Sequence, residues 1–283
     1  MKARLSNERE RTMTKPRKLA VLGAGKMGEA LTAGILDGGA FPPERVLATD
    51  KNEDRLDLMK EKYKVVVTSD NRKAVREADL VLLAVKPQVV LELLEEIRGE
   101  VRRDQLVISI VASVTTAYIE RILGAKIPVV RAMPNTPCLI RSGMTALCKG
   151  TYAEDQHLRE AERIFAVVGR TVVLDERHMD AVTGLSASGP AFIYIILESF
   201  AEAGVKLGLP RSVATELAAQ MTLGAAKMVL DTKEHPALLK DNVTTPAGCT
   251  IDGILELEEG KLRVTLIKAV VKAAQRAAEL LET

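Results

Sequence analysis

Tryptophan is absent from this 283-residue chain, and phenylalanine and tyrosine occur four times each. A surface that stacks on unpaired bases needs aromatic rings interleaved with basic charge. Charge of one sign is also missing: 40 Lys and Arg stand against 38 Asp and Glu, a formal net charge of +2 with both signs interspersed. Nucleic acid is therefore not an expected partner. Cys138, Cys148 and Cys249 are scattered without Cys-x-x-Cys spacing. Neither a disulfide framework nor a zinc site is expected, and a reducing, cytoplasmic setting fits. His157, His178 and His235 stand apart and lack metal-ligand spacing, so no metal is expected. No apolar run reaches the length needed to span a bilayer, so no membrane partner is expected either. The first stretch, residues 1–17, is charged and lacks the apolar centre of a secretory signal, and Glu8 and Glu10 argue against a transit peptide. It reads as a mobile tail.

What is present is the balance of an ordinary globular chain, long enough for one large or two medium domains. Short β-rich runs fall at 19–22, 46–49, 65–67, 80–84, 106–110 and 129–132. Helical patterns lie between them at 28–37, 54–62, 72–78, 89–97 and 116–123. Alternation of nearly continuous apolar strands with helices means a parallel sheet buried on both faces. After a last β run at 171–174 the β signals stop. Pro190 suits the first turn of a helix running past Ile193, Ile196 and Phe200, and Pro210 opens another that reaches about Leu230. Leu266, Ile267, Val270, Val271, Ala274 and Ala277 repeat at helical spacing near the end. Apolar faces wider than one stripe imply helix packing within the chain and against a second copy. The expected division is a dinucleotide-binding domain over 18–174 and a helical domain over 175–283 that binds substrate and dimerises.

The first β run leads straight into Gly23-Ala24-Gly25-Lys26-Met27-Gly28, followed by a helical pattern. Strand, Gly-x-Gly-x-x-Gly turn and helix together form a cradle for the pyrophosphate of a dinucleotide. Gly23 permits the tight turn, Gly25 lets the backbone approach the phosphates, and Gly28 lets the helix pack on the strand. Helix N-terminal N–H groups then face the anion. Asp50 ends the second strand at the distance expected for an acid on the adenine ribose, which favours the diol of NAD. Lys51 and Arg55 stand nearby and suit the 2′-phosphate of NADP instead. Ala84-Val85-Lys86-Pro87-Gln88 closes the fourth strand, where Pro87 restricts Lys86 to extended geometry. This loop is a candidate wall for the nicotinamide.

A second motif lies at 244–250, where Thr244-Thr245-Pro246-Ala247-Gly248-Cys249-Thr250 separates two helical patterns. Two readings stand side by side. Free N–H groups at Gly248, Cys249 and Thr250 form a nest for a carboxylate, or Thr250 is an ordinary capping hydroxyl.

Taken in order, several segments resemble the pyrroline-5-carboxylate reductase family: 23–28, 84–88, 131–137, 183–191, 224–228 and 240–250. The resemblance spans the chain from about Lys18 to the end. It implies an α/β fold with an N-terminal Rossmann-type parallel sheet and a C-terminal all-helical dimerisation domain, the layout of 6-phosphogluconate dehydrogenase. It implies NADP(H) or NAD(H) as cofactor, a homodimer that assembles further in many relatives, and reduction of Δ1-pyrroline-5-carboxylate to L-proline. Site residues follow by the same matching. Gly23, Gly25, Lys26, Met27, Gly28, Asp50, Lys51, Asn71, Ala84, Val85, Lys86, Pro87 and Ala112 correspond to cofactor contacts. Gly248, Cys249 and Thr250 correspond to the substrate-carboxylate loop, with Thr250 as the catalytic residue near the imine nitrogen. Four departures stand out. Ala247 occupies a position that is glycine in the common family loop and is strained there if φ is positive. Ser113 and Ala187 also replace frequent glycines, and Asp50 replaces an uncharged residue.

Two other functions share parts of this pattern. A β-hydroxyacid dehydrogenase has the same layout but needs a catalytic lysine on a second-half helix, and neither Lys206 nor Lys227 sits in that family's motif. A dinucleotide-binding regulator keeps the glycine turn without turnover, and the intact loop through Thr250 argues against it.

Overall fold

A computed structural model of the chain describes residues 17–124 and 126–279. Of the expected tail, only Arg17 falls among the described residues. Eight strands form one sheet: β1 (Leu19–Leu22), β2 (Val46–Thr49), β3 (Val66–Thr68), β4 (Leu80–Leu83), β5 (Leu106–Ser109), β6 (Val129–Met133), β7 (Gly143–Lys149) and β8 (Gly169–Val173). Their spatial order is β3-β2-β1-β4-β5-β6-β7-β8. Leu19 stands opposite Val46 on one side and Leu80 on the other, all in parallel register. Alternate residues feed opposite faces. Leu19, Val21, Leu80 and Leu82 enter one core, while Ala20, Leu22, Val81 and Leu83 enter the other. Burial on both faces is why these strands read as unbroken apolar runs.

Helices α1 (Lys26–Asp37), α2 (Glu53–Tyr63), α3 (Asn71–Glu77), α4 (Val90–Ile97), α5 (Thr116–Leu123), α6 (Asp155–Ala166) and α7 (Met179–Val182) accompany the sheet. Caps fix several of their starts. Asn52, Asp70 and Thr115 each accept a first-turn N–H, and Glu154 and His157 close a capping box at α6.

The expected parallel sheet holds from β1 to β6, and β7, a strand absent from the expected set, departs from it. β7 runs antiparallel to β6, with Arg131 opposite Cys148, and β8 then pairs parallel to β7. Two parallel neighbours need a crossover of a dozen or more residues. Here the chain returns from Met133 to Gly143 through a short 3₁₀ turn, Thr136–Ile140. β7 carries little β signal because Thr145 is its one β-branched residue.

Two compact units result, one running through Thr183 and including the chain from Arg276, the other Gly184–Gln275. Glu176 belongs to the first unit because its carboxylate accepts the Thr116 N–H at 2.7 Å and the Thr116 hydroxyl at 2.6 Å. The second unit contains α8 (Gly189–Lys206), α9 (Arg211–Thr232), α10 (Pro236–Val243), α11 (Cys249–Glu259) and most of α12 (Leu262–Glu279). Proline opens α8 and α10 from inside their first turns and precedes α9 as Pro210. Few side chains of this unit are buried. Ile195, Leu217, Leu223, Leu255 and Ile267 are among the large apolar residues left exposed.

By length and composition alone, one segment departs from the expectation of no membrane-length apolar run. The helical run Glu176–Lys206, 31 residues long with a mean hydropathy of 1.3 over its most apolar stretch, is long and apolar enough to cross a bilayer. Its apolar character comes from the wide faces of α8, whose first turns carry no charge until Glu198.

Candidate active site

The carboxyl ends of β1, β2 and β4 converge on a cleft of about 250 Å³ at the point where the strand order reverses, the usual ligand position in an open α/β sheet. Gly23 leaves β1 with φ of +105° and donates its N–H to the Thr49 carbonyl at 2.9 Å. A Cβ on Gly23 would lie 2.7 Å from the Ala84 carbonyl, so the β4 loop closes directly over this turn. Gly25 caps α1 without any side-chain hydrogen bond, and a Cβ there would meet nothing within 4 Å. An open backbone at an uncapped helix N-terminus suits a pyrophosphate, which accepts the orphan N–H groups of the first turn.

The adenosine side of the cleft is a chain of hydrogen bonds. Asp50 accepts the Ala24 N–H at 2.9 Å and the Asn52 N–H at 3.0 Å. Thr49 donates its hydroxyl to Asn71 Oδ1 at 2.6 Å, and Asn71 Nδ2 donates to Glu96 at 3.0 Å. Lys51 pairs with Glu92 at 2.8 Å, and this partner raises its pKa above the ordinary lysine value. Arg55 lies under the turn, donating to the Ala24 carbonyl at 2.7 Å and to Glu29 at 2.6 Å. Lys86 has the extended geometry that Pro87 imposes, with φ −70° and ψ 149°.

Of the expected cofactor residues, Gly23, Gly25, Asp50, Lys51, Asn71, Ala84, Val85 and Lys86 line this cleft. Lys26, Met27, Gly28, Pro87 and Ala112 do not. Met27 packs against the sheet core, and Gly28 is buried where its helix crosses the Gly23 carbonyl. Thr49, Val89, Glu92, Leu93 and Glu96 line the cleft without having been singled out from the sequence. Glu92 and Glu96 share one face of α4 at i,i+4 spacing, a pattern visible in the sequence beside the Lys86-Pro87 loop.

In the second unit, Gly248 is the N-cap of α11, no side chain caps that helix, and Thr250 is its second residue. Thr250 is therefore not the capping hydroxyl. The Gly248 N–H donates to the Thr245 carbonyl at 3.0 Å. A Cβ on Gly248 would collide with the Thr245 hydroxyl oxygen and lie 3.1 Å from its carbonyl, so the bend is tight at this residue. Amides without an intrahelical acceptor are then those of Cys249, Thr250 and Ile251, one residue later than the expected set. Ala247 has φ of +56°, the left-handed conformation its glycine replacement was expected to meet.

The family described as pyrroline-5-carboxylate reductase dimerisation matches residues 176–280, and the family described as NADP oxidoreductase, coenzyme F420-dependent, matches residues 18–113. The pyrroline-5-carboxylate reductase of Methanosarcina acetivorans is 43% identical over 263 residues, covering 93% of this chain and 97% of that protein. This chain belongs to the pyrroline-5-carboxylate reductase family. The structure of such a reductase from Coxiella burnetii has a TM-score of 0.86 at 38% identity, covering 95% of this chain and all of that one. That of Plasmodium falciparum pyrroline carboxylate reductase, with NADP bound, has a TM-score of 0.87 at 29% identity, covering 95% and 99%.

As a pyrroline-5-carboxylate reductase family member, the chain is an NAD(P)H-dependent oxidoreductase with a Rossmann-type sheet followed by helices. Ser113, the second departure, is buried with φ of +69°, and its hydroxyl has no hydrogen-bond partner among the described residues. Cys148 is buried, which pushes its thiol up to about 12, and Cys138 is raised by burial too. Cys249 is the exposed cysteine. His157 and His235 both serve helix starts.

Proposed function

We propose that this chain reduces the C=N bond of Δ1-pyrroline-5-carboxylate to give L-proline, the last step of proline biosynthesis. Full-length similarity to the Methanosarcina acetivorans reductase carries this reading, because it includes the glycine turn and the Thr250 bend together. The nicotinamide cofactor supplies a hydride, which goes to the ring carbon of the imine. The protein's share is positioning and exclusion of water.

Residues 18–174 hold the nucleotide, and 175–283 hold the substrate and the dimer contact. The first-turn N–H groups at Cys249 and Thr250 bind the substrate carboxylate, with Gly248 allowing the bend its close turn. The Thr250 hydroxyl hydrogen-bonds the ring nitrogen. A threonine hydroxyl is too weak an acid to drive protonation, so Thr250 orients the nitrogen and relays or stabilises its proton. Substrate that binds as the iminium needs no strong acid at all.

The exposed apolar faces of α8, α9, α11 and α12 pack on a second copy of the chain, and larger homo-oligomers are built on that dimer. A protein partner accounts for the apolar α8 better than lipid does, because the dimerisation family match includes that helix. Three free cysteines suit a cytoplasmic location.

The test is loss of reduced-nucleotide absorbance with pyrroline-5-carboxylate, run beside 2-oxo and 3-hydroxy acids. Turnover of the cyclic imine with L-proline as product supports the reading. Turnover of the open-chain acids alone would replace it with a β-hydroxyacid dehydrogenase.

A further inference from the structure

We propose that the adenosine end of the cleft selects NADH over NADPH, with Asp50, Glu92 and the Lys51–Glu92 pair as the selecting groups. The inference rests on the cleft being a dinucleotide site. Asp50, Glu92 and Glu96 line the cleft, against Lys51 and Lys86.

Asp50 cannot swing away without loss. Its two oxygens hold the Ala24 N–H of the glycine turn and the Asn52 N–H at the start of α2. A carboxylate has about four acceptor sites, and two backbone bonds leave two for the hydroxyls of a ribose diol. A 2′-phosphate in the same place brings further negative charge against a carboxylate locked in position.

Sites that accept the 2′-phosphate place an arginine beside it. Arg55 follows Asp50 by five residues, and its guanidinium is committed. It donates to the Ala24 carbonyl and to Glu29, a carboxylate that also accepts from Tyr63 at 2.9 Å and Lys62 at 3.2 Å. Lys51 lines the cleft but is matched by Glu92. Moving Lys51 to a phosphate would strand Glu92 next to that phosphate, with Glu96 one helical turn away. Asn71, a neutral group of this wall, is held between Thr49 and Glu96.

The experiment is fluorescence titration of the full chain with NADH and with NADPH, at low and at high salt. With no tryptophan present, nicotinamide emission is read without indole background. Kd for NADH should lie at least about tenfold below that for NADPH at low salt, and added salt should narrow the gap by screening the repulsion. Glu92→Gln, which removes one carboxylate and frees Lys51, should narrow it several-fold by tightening NADPH. Equal or tighter NADPH binding overturns the proposal, as does a gap that widens with salt, the signature of an attracted phosphate. A gap unmoved by Glu92→Gln removes Glu92 from the selecting set. If neither nucleotide binds, the dinucleotide reading itself fails and this inference falls with it.

Discussion

Arg131 on β6 faces Glu176 at 3.5 Å although its own side chain is only 2% exposed. Asp180 approaches the same guanidinium at 3.6 Å, and Nε and Nη2 make no hydrogen bond among the described residues. A buried cation thus ties the sheet to the segment that leads out of it. Removing one partner of such a pair strands the other, at a cost of about 3 kcal/mol or more. Glu176→Ala should lower the unfolding free energy by that amount, read as a fall in the urea midpoint equal to the loss divided by the m-value. Arg131→Met, which removes the cation itself, should cost less. Equal midpoints for Glu176→Ala and the parent would refute the tether.

Ser113 combines a left-handed backbone with a buried, unpartnered hydroxyl. Glycine relieves both, at the expense of a looser unfolded chain. Ser113→Gly should stabilise by about 1 kcal/mol net, raising Tm by roughly 2–4 °C for a chain of this size. Calorimetry decides it, and an unchanged or lower Tm would show that the serine finds compensation.

Glu29 gives the acid limit. Burial pushes its carboxyl up, but hydrogen bonds from Arg55, Tyr63 and Lys62 outweigh that and hold its pKa below the ordinary value. A lowered folded-state pKa contributes stability above the unfolded value of about 4.3 and loses it as pH falls through the folded value. Glu29→Gln should therefore narrow the stability difference from the parent as pH drops below about 4. Chemical denaturation at pH 7 and at pH 3 measures this, and a difference independent of pH would contradict it.

Much of the nucleotide half was legible because its determinants are local. Gly23 and Gly25 announce the turn, and fully buried strands such as 19–22 and 80–83 leave apolar runs that few other elements produce. β7 escaped because its residues are ordinary and its direction depends on the short return through Thr136–Ile140. The hydrogen bond from Gly248 to Thr245 was equally invisible. It depends on how the bend closes, and that displaced the free amides by one residue. Glu92 and Glu96 were readable as an i,i+4 acidic face, but only the sheet order shows that this face borders the cleft.

In the role proposed for Thr250, Thr250→Ala removes one hydrogen bond to a charged or charging nitrogen, worth about 1.5–3 kcal/mol. A ten- to hundredfold fall in kcat is expected, about one decade per 1.4 kcal/mol, with nucleotide Kd unchanged. Steady-state kinetics beside nucleotide titration separates the two, and an unaltered kcat would take Thr250 out of the reaction.

The proposed reaction requires the bend at Gly248, Cys249 and Thr250 to grip the carboxylate of the ring acid. A crystal structure of the protein with L-proline bound tests it most directly. Carboxylate oxygens are expected about 2.9 Å from the N–H groups of Cys249 and Thr250, with the ring nitrogen toward the Thr250 hydroxyl. Proline bound elsewhere, with those amides facing only solvent, would contradict it.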